Sequence, residues 1–237
     1  MKSAYHELKQ EAWEANLLIP KHGLALFTWG NVSAFDKAKG VFAIKPSGVP
    51  YDTLQADQLV VVDLEGKVVE GTLRPSSDTP THRVLYRAFP SIGGVVHTHS
   101  TYATAWSQAQ IPLPVWGTTH ADHSPAQVPC TPVLSKEQVE RDYELETGNL
   151  IVDTFLKSVP AWDPEITPMV LVGGHAPFTW GKDAGKAVYH AVVLEEIAKM
   201  AIMTRIAAAG PVPGLPDHVI HKHYERKHGP GAYYGQK

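Results

Sequence analysis

Cysteine is almost missing from this chain: Cys130 is the only one in 237 residues. A single thiol closes no disulfide within the chain, so stability must come from a core. A basic surplus is missing too, with 21 Lys plus Arg against 24 Asp plus Glu and a formal net charge of -3. That balance supplies no stripe for nucleic acid, and no block of like charge forms a tail. Long apolar runs are also missing. The longest aliphatic stretch, Leu59 to Leu64, already contains Asp63, far short of the ~20 residues a membrane-spanning helix needs. The segment Met1 to Gln10 is polar and lacks the apolar centre of a signal peptide. Together these gaps predict a cytoplasmic protein that engages neither membrane nor nucleic acid.

What is present is globular in character, with 43% apolar and 19% charged residues. The length suits one large domain, residues 1–237, and no internal repeat or linker interrupts it. Histidine is the unusual count: 13 of them outnumber the 6 phenylalanines. It fills cores poorly, yet it is the commonest metal ligand and the side chain that carries protons near neutrality. The composition therefore points to a metal or acid–base site.

Tyr5, Leu8, Ala12 and Ala15 recur at helical spacing, and Pro20 with His22-Gly23 closes that helix. Thr28 to Ser33 and Val41 to Ile44 read as strands around a turn at Asp36 to Gly40, and Leu59 to Asp63 pairs with Lys67 to Val69 as a hairpin. Thr79-Pro80 opens a helix that runs through Phe89. Ile92 to His99 is a strand and Thr101 to Ala109 a helix, followed by a long structured loop or short strands over 111–133. Val139 to Leu156 and Ala184 to Ala209 are helices flanking a strand at Met169 to Val172. Residues 211–237 show no clear periodicity. The pattern is α/β, with strand order left open.

Two chemical patterns stand out. In Val95-Val96-His97-Thr98-His99-Ser100, residues two apart on a strand share a face, so His97 and His99 are placed to share an ion. Neutral imidazoles suit zinc, at Zn–N distances of about 2.0–2.1 Å. A pair of solvated histidines is the alternative, because H-x-H is common. The apolar run ending Val172-Gly173-Gly174 delivers His175 at a strand terminus, either as a third ligand or as a solvated loop histidine. Asp78, just before Thr79-Pro80, serves equally as a helix cap or as an oxygen ligand. Three imidazoles and a carboxylate suit zinc, manganese or cobalt. The second pattern is an anion cradle: Lys45-Pro46-Ser47-Gly48 after a strand, Ser76-Ser77 before a helix, and Gly30-Asn31. Each segment alone is ordinary turn or cap chemistry, and none matches a nucleotide-binding loop. Combined with the metal pattern they suit a small phosphorylated metabolite.

In these segments the chain resembles the class II aldolase and epimerase family, and within it the sugar-phosphate 4-epimerases. The matching stretches are Thr28 to Ser33, Ile44 to Gly48, Pro75 to His82, Val96 to Ser100, Gly117 to Asp122, Glu146 to Asn149 and Ala232 to Gln236. They occur in order over nearly the whole chain, from about Asn16 onward. One local departure is Gly173-Gly174, where the epimerase pattern usually carries another histidine before the last ligand. The resemblance implies a single three-layer α/β/α domain around a mainly antiparallel sheet, assembled as a homotetramer with active sites between subunits. It implies zinc on Asp78, His97, His99 and His175, with Gly30, Asn31, Lys45, Ser47, Gly48, Ser76 and Ser77 around the sugar phosphate. It implies proton donor and acceptor roles for Asp122 and Tyr234, with the segment 211–237 reaching a neighbouring subunit's site and His223 assisting there.

The implied activity is inversion at C4, interconverting L-ribulose 5-phosphate and D-xylulose 5-phosphate. Proton removal at C4 is unattractive because that carbon is not next to the carbonyl. Breaking C3–C4 is easier, since the electrons collapse into an enediolate over C2 and C3, and a divalent ion stabilises that charge. The aldehyde fragment turns and is attacked on its other face. The C4 oxygen then loses a proton on one side and gains one on the other, so two acid–base groups are expected. The alternatives are an aldolase on a related ketose phosphate and a metal-free binding module. An aldolase of this kind commonly carries glutamate where this chain has Asp78. Retention of all three histidines argues against the binding module.

Overall fold

Apolar runs such as Leu59 to Val62 lack the alternation of a half-buried strand, because the sheet they enter is covered on both faces. In the computed structural model, which describes residues 3–235, seven strands form one sheet: β1 (Asn31–Asp36), β2 (Val41–Ile44), β3 (Val60–Asp63), β4 (Val68–Glu70), β5 (Gly94–His97), β6 (Met169–Leu171) and β7 (Pro177–Gly181). Their order is β4-β3-β2-β1-β5-β7-β6, and every pairing is antiparallel. The helices are α1 (His6–Lys21), α2 (Thr79–Ala88), α3 (Thr101–Ala109), α4 (Thr118–Ala121), α5 (Lys136–Leu156), α6 (Ala184–Ala207) and α7 (Asp217–His228).

The two-residue pleat sorts side chains between two cores. Val32, Ala34, Val41 and Ala43 pack with Ala12, Ala15 and Ile19 of α1 and with Ala187, Val188 and Ala191 of α6. Phe42, Ile44, Val60 and Val95 face the other way, onto Leu85 of α2, Phe89 just past its end, and Ile151 and Phe155 of α5. Each large apolar side chain fully buried in this way is worth ~1.5–3 kcal/mol. The result is the expected three-layer α/β/α arrangement. Among the described residues no helix is long and apolar enough to cross a membrane.

Several boundaries differ from expectation for physical reasons. The strand expected from Thr28 starts at Asn31, because Phe27 and Gly30 both take positive φ, 52° and 105°, and curl the chain away from the sheet. The strand expected to reach His99 stops at His97. Its neighbour β7 begins at Pro177, which has no N–H to give, and β1 begins only at Asn31, so neither side of the ladder continues. The region 111–133 contains a Leu113–Val128 bridge and the short α4. Helix α5 is kinked at Asp142. Helix α4, strand β7 and helix α7 went unforeseen.

Candidate metal centre and anion cradle

Sheet register sets the centre. Asn31 of β1 lies opposite His97 of β5, and His97 opposite Phe178 of β7, so the three form one rung on the face covered by α2 and α5. The Phe178 ring stacks on His97 with centroids 4.2 Å apart and planes 17° from parallel. On the ring's other edge the Pro177 carbonyl lies 3.0 Å from Nδ1. A carbonyl only accepts, so Nδ1 carries the proton and Nε2 keeps its lone pair for a ligand. The Nε2 atom of His99 is 3.2 Å from that Nε2. His175 closes the group, its ring centroid 4.9 Å from His97 and 5.1 Å from His99.

A tetrahedral ion with Zn–N near 2.05 Å spaces its ligand nitrogens ~3.3 Å apart, close to the 3.2 Å between these two Nε2 atoms. The three imidazoles each bring a nitrogen within 4.8 Å of the others. Burial pushes the pKa of His99 and of His175 down to about 4, with the neighbouring His97 acting in the same direction. Both are therefore neutral at pH 7, the form that binds metal. His175 Nδ1 is buried with no hydrogen-bond partner. The donor set thus fits a divalent ion. The strand expectation needs one amendment: His99 reaches the site from the loop after β5, not from its pleat.

His175 sits in the β6–β7 turn, and Gly173 explains why glycine precedes it. A Cβ there would collide with the Thr131 carbonyl oxygen. Asp78 occupies the N-cap position of α2 but makes no side-chain cap bond. Its Oδ2 instead accepts from Asn31 Nδ2 at 2.7 Å, which decides against the capping alternative. Burial raises the pKa of the Asp78 carboxyl, but the nearby His97, His82 and His175 rings and the Asn31 amide outweigh it and hold the group below its ordinary value.

The anion cradle is built where two segments cross. Ser47 N–H donates to the Arg74 carbonyl at 2.9 Å and Ser76 N–H to the Lys45 carbonyl at 3.0 Å. Lys45 is only 2% exposed, and among the described residues no carboxylate pairs with it. Its Nζ has the Pro46 carbonyl at 3.4 Å and the Tyr51 ring centroid at 4.9 Å. Burial pushes its pKa down to about 8. A buried cation without a counter-charge is a place prepared for an anion. Gly30 completes the wall. Its φ is +105°, and a Cβ would meet the His97 carbonyl oxygen at 2.6 Å.

All these residues line one open cleft of about 500 Å³: Gly30 and Asn31 from the start of β1, Lys45, Ser47 and Gly48 after β2, Ser76 to Asp78 before α2, and the three histidines. Tyr143 and Glu144 line it as well. Sequence reasoning missed both, because the kink at Asp142 that turns them inward lies within what reads as one continuous helix.

Asp122 and Tyr234 belong elsewhere in the chain. No residue of α4 or α7 lines the cleft. Asp122, at the end of α4, accepts from Arg226 Nε at 3.0 Å and Nη2 at 2.8 Å, with His223 Nδ1 at 3.0 Å and Lys227 Nζ at 3.3 Å. Partial burial works against ionisation, but these partners prevail and hold its pKa at about 2. Tyr234 is 64% exposed, and the cations of Arg226 and Lys227 lie 5.3 Å and 4.5 Å from its ring. Arg226 therefore joins the two residues into one cluster. Gln236, the last residue of the resemblance, lies outside the described residues.

Residues 10–202 match the model of the class II aldolase and adducin N-terminal domain, and the chain belongs to that family. A relative named L-ribulose-5-phosphate 4-epimerase UlaF, from Salmonella paratyphi A, is 54% identical over 98% of this chain and 99% of its own length. Among solved structures, an L-fuculose 1-phosphate aldolase superposes with a TM-score of 0.74 at 26% identity, covering 95% of this chain and 97% of the other. The L-fuculose-1-phosphate aldolase of Thermus thermophilus gives 0.64 at 24% identity, over 87% and 98%.

Proposed function

We propose that this protein is a metal-dependent 4-epimerase that interconverts L-ribulose 5-phosphate and D-xylulose 5-phosphate. The observation that carries the reading is the meeting of three imidazoles with an uncompensated buried lysine and a serine-lined cradle in one cleft. The 54% identity to a protein named for this activity supports it.

His97, His99 and His175 would hold the ion, which we assign as zinc, with Asp78 as the fourth group. Bound there, a divalent ion supplies Lewis-acid stabilisation for the enediolate left when C3–C4 breaks. Ser47, Gly48, Ser76 and Ser77 hold the phosphate through hydroxyl and backbone donors, and Lys45 supplies the counter-charge. With its phosphate held, the aldehyde fragment turns without leaving. Asp122, ionised at neutral pH, accepts the C4 hydroxyl proton on one face. Tyr234 donates a proton to the new C4 oxygen on the other. Because both lie outside their own chain's cleft, we assign them to the cleft of a neighbouring subunit in a homotetramer, carried there by α4 and the segment 211–237.

Incubation with L-ribulose 5-phosphate, with zinc and with a chelator, tests the reading. Zinc-dependent formation of D-xylulose 5-phosphate without free glycolaldehyde phosphate is the expected result. Accumulation of free aldehyde would make the protein an aldolase, and no conversion by zinc-loaded protein would refute the substrate assignment.

A further inference from the structure

One buried aromatic residue joins two separate parts of the anion cradle. After β2 the chain passes Lys45, Ser47 and Gly48 and turns back through Val49-Pro50, which brings Tyr51 against Lys45. Tyr51 is only 6% exposed. Its hydroxyl donates to the Gly30 carbonyl at 2.7 Å, a direction the chemistry fixes, because a carbonyl only accepts. The Lys45 Nζ lies over the face of its ring, 4.9 Å from the centroid, inside the ~6 Å reach of a cation–π contact. Tyr51 does not line the cleft itself. It lines a neighbouring hollow with Leu17, Ala25 and Phe27, so it reaches Gly30 and Lys45 from outside the space a substrate would fill.

A buried cation is ordinarily steadied by a carboxylate, yet among the described residues none pairs with Lys45. A carboxylate there would neutralise the ammonium and repel an incoming phosphate. An aromatic face attracts a cation through its quadrupole and carries no net charge. The ammonium is thus held while its charge stays available. The hydroxyl adds something different. By holding the Gly30 carbonyl it fixes the plane of the Gly30–Asn31 peptide across the cradle. Burial lowers the Lys45 pKa to about 8 and pushes that of the Tyr51 hydroxyl up, so at pH 7 the pair is an ammonium over a neutral phenol.

We infer that Tyr51 is a positioning residue for the anion cradle: its hydroxyl tethers Gly30, and its ring face carries the Lys45 ammonium without neutralising it. The inference rests on the cradle's reading as a phosphate site, and it adds a residue that touches no substrate.

The test titrates zinc-loaded, full-length protein with inorganic sulfate, which stays a dianion throughout, by calorimetry between about pH 6 and 9.5. Circular dichroism checks that each variant is folded. In wild type, sulfate affinity should fall as Lys45 loses its proton near pH 8. Tyr51→Leu removes ring and hydroxyl, and should move that fall about one pH unit lower. Tyr51→Phe keeps the ring, so the fall should stay in place while affinity at pH 7 drops ~3–10-fold with the tether. In a Lys45→Met background the fall should vanish, and Tyr51→Leu should cost within about twofold of what Tyr51→Phe costs. A fall at the wild-type pH in Tyr51→Leu, wild-type affinity in Tyr51→Phe, or a larger Leu penalty without Lys45 would reduce Tyr51 to packing and overturn the inference. If Tyr51→Leu fails to fold, Tyr51→Phe at wild-type affinity overturns it alone. Wild-type protein that binds no sulfate at any pH would instead overturn the cradle reading, a result read before any variant.

Discussion

Replacing Lys45 by Met tests whether the cradle is prepared for an anion. The fold lowers the Lys45 pKa from 10.5 to about 8. At 1.36 kcal/mol per unit, holding the protonated amine costs the ligand-free protein up to ~3.4 kcal/mol. Water in the open cleft and the cation–π contact with Tyr51, worth ~1 kcal/mol, bring the net to ~2 kcal/mol. Methionine matches the stem and adapts to the cavity, so the variant should be more stable than wild type. For a domain of this size that gain corresponds to ~4–8 °C in melting temperature. The pH dependence has a definite sign. The folded pKa lies below the unfolded one, so the unfolded state binds more protons between pH 8 and 10.5. The variant's advantage should be full below pH 8, shrink across that window and vanish above it. Melting curves from pH 6 to 11 measure this, and inorganic phosphate should close the gap at pH 7 by stabilising only wild type. A variant less stable at every pH, or a gap that ignores both pH and phosphate, would refute the reasoning.

His97→Ala should lose bound metal and epimerisation together; full activity at unchanged metal content would disprove the ligand assignment. Gly30→Ala combines a positive φ with a Cβ 2.6 Å from the His97 carbonyl, and should cost ~2–5 kcal/mol while weakening metal binding, both measured on purified protein. Asp122→Asn should keep its metal stoichiometry yet lose ~100-fold or more in turnover, and loss of metal there would make Asp122 a ligand. Because its folded pKa of about 2 lies below the ordinary 3.8, the Asp122 cluster stabilises fully above pH 4, by ~2 kcal/mol, and that contribution fades as pH falls toward 2. Acid titration of wild type against Arg226→Ala should show the two converging there.

The cleft was legible because its residues sit at element ends, where backbone chemistry shows in sequence: glycines at tight approaches, serines before a helix, histidines just past apolar strands. Elements with a buried face were legible for the same reason, as with Leu8, Ala12 and Ala15 of α1. Helix α7 was not, because only Ile220 is buried along it and no apolar period forms. Strand β7 hid behind its opening proline and its aromatic Phe178 and Trp180. Tyr143 and Glu144 were missed because a kink has no periodic signature, although Asp142 does accept from Leu145 N–H in the manner of a new helix start. Sequence separates the Asp122 cluster from the metal cleft no better than it joins them, since that requires three-dimensional distance.

The two halves of the proposed chemistry are anchored very differently. His97 ends β5, an interior strand of a seven-stranded sheet covered on both faces, so its release requires the sheet to open. Within its own chain, helix α7 adheres through a small patch of Val115, Ala121 and Ile220, with Leu215 against it, and through the polar grip of Asp122. Segments held so lightly open at free energies well below that of the whole molecule. On warming, turnover should therefore fail while the body is still folded and still holds its ion. Amide exchange should report α7 breathing freely beside a silent β5. Such a protein wears out first at its proton carriers, and cooling would restore it without any refolding of the sheet.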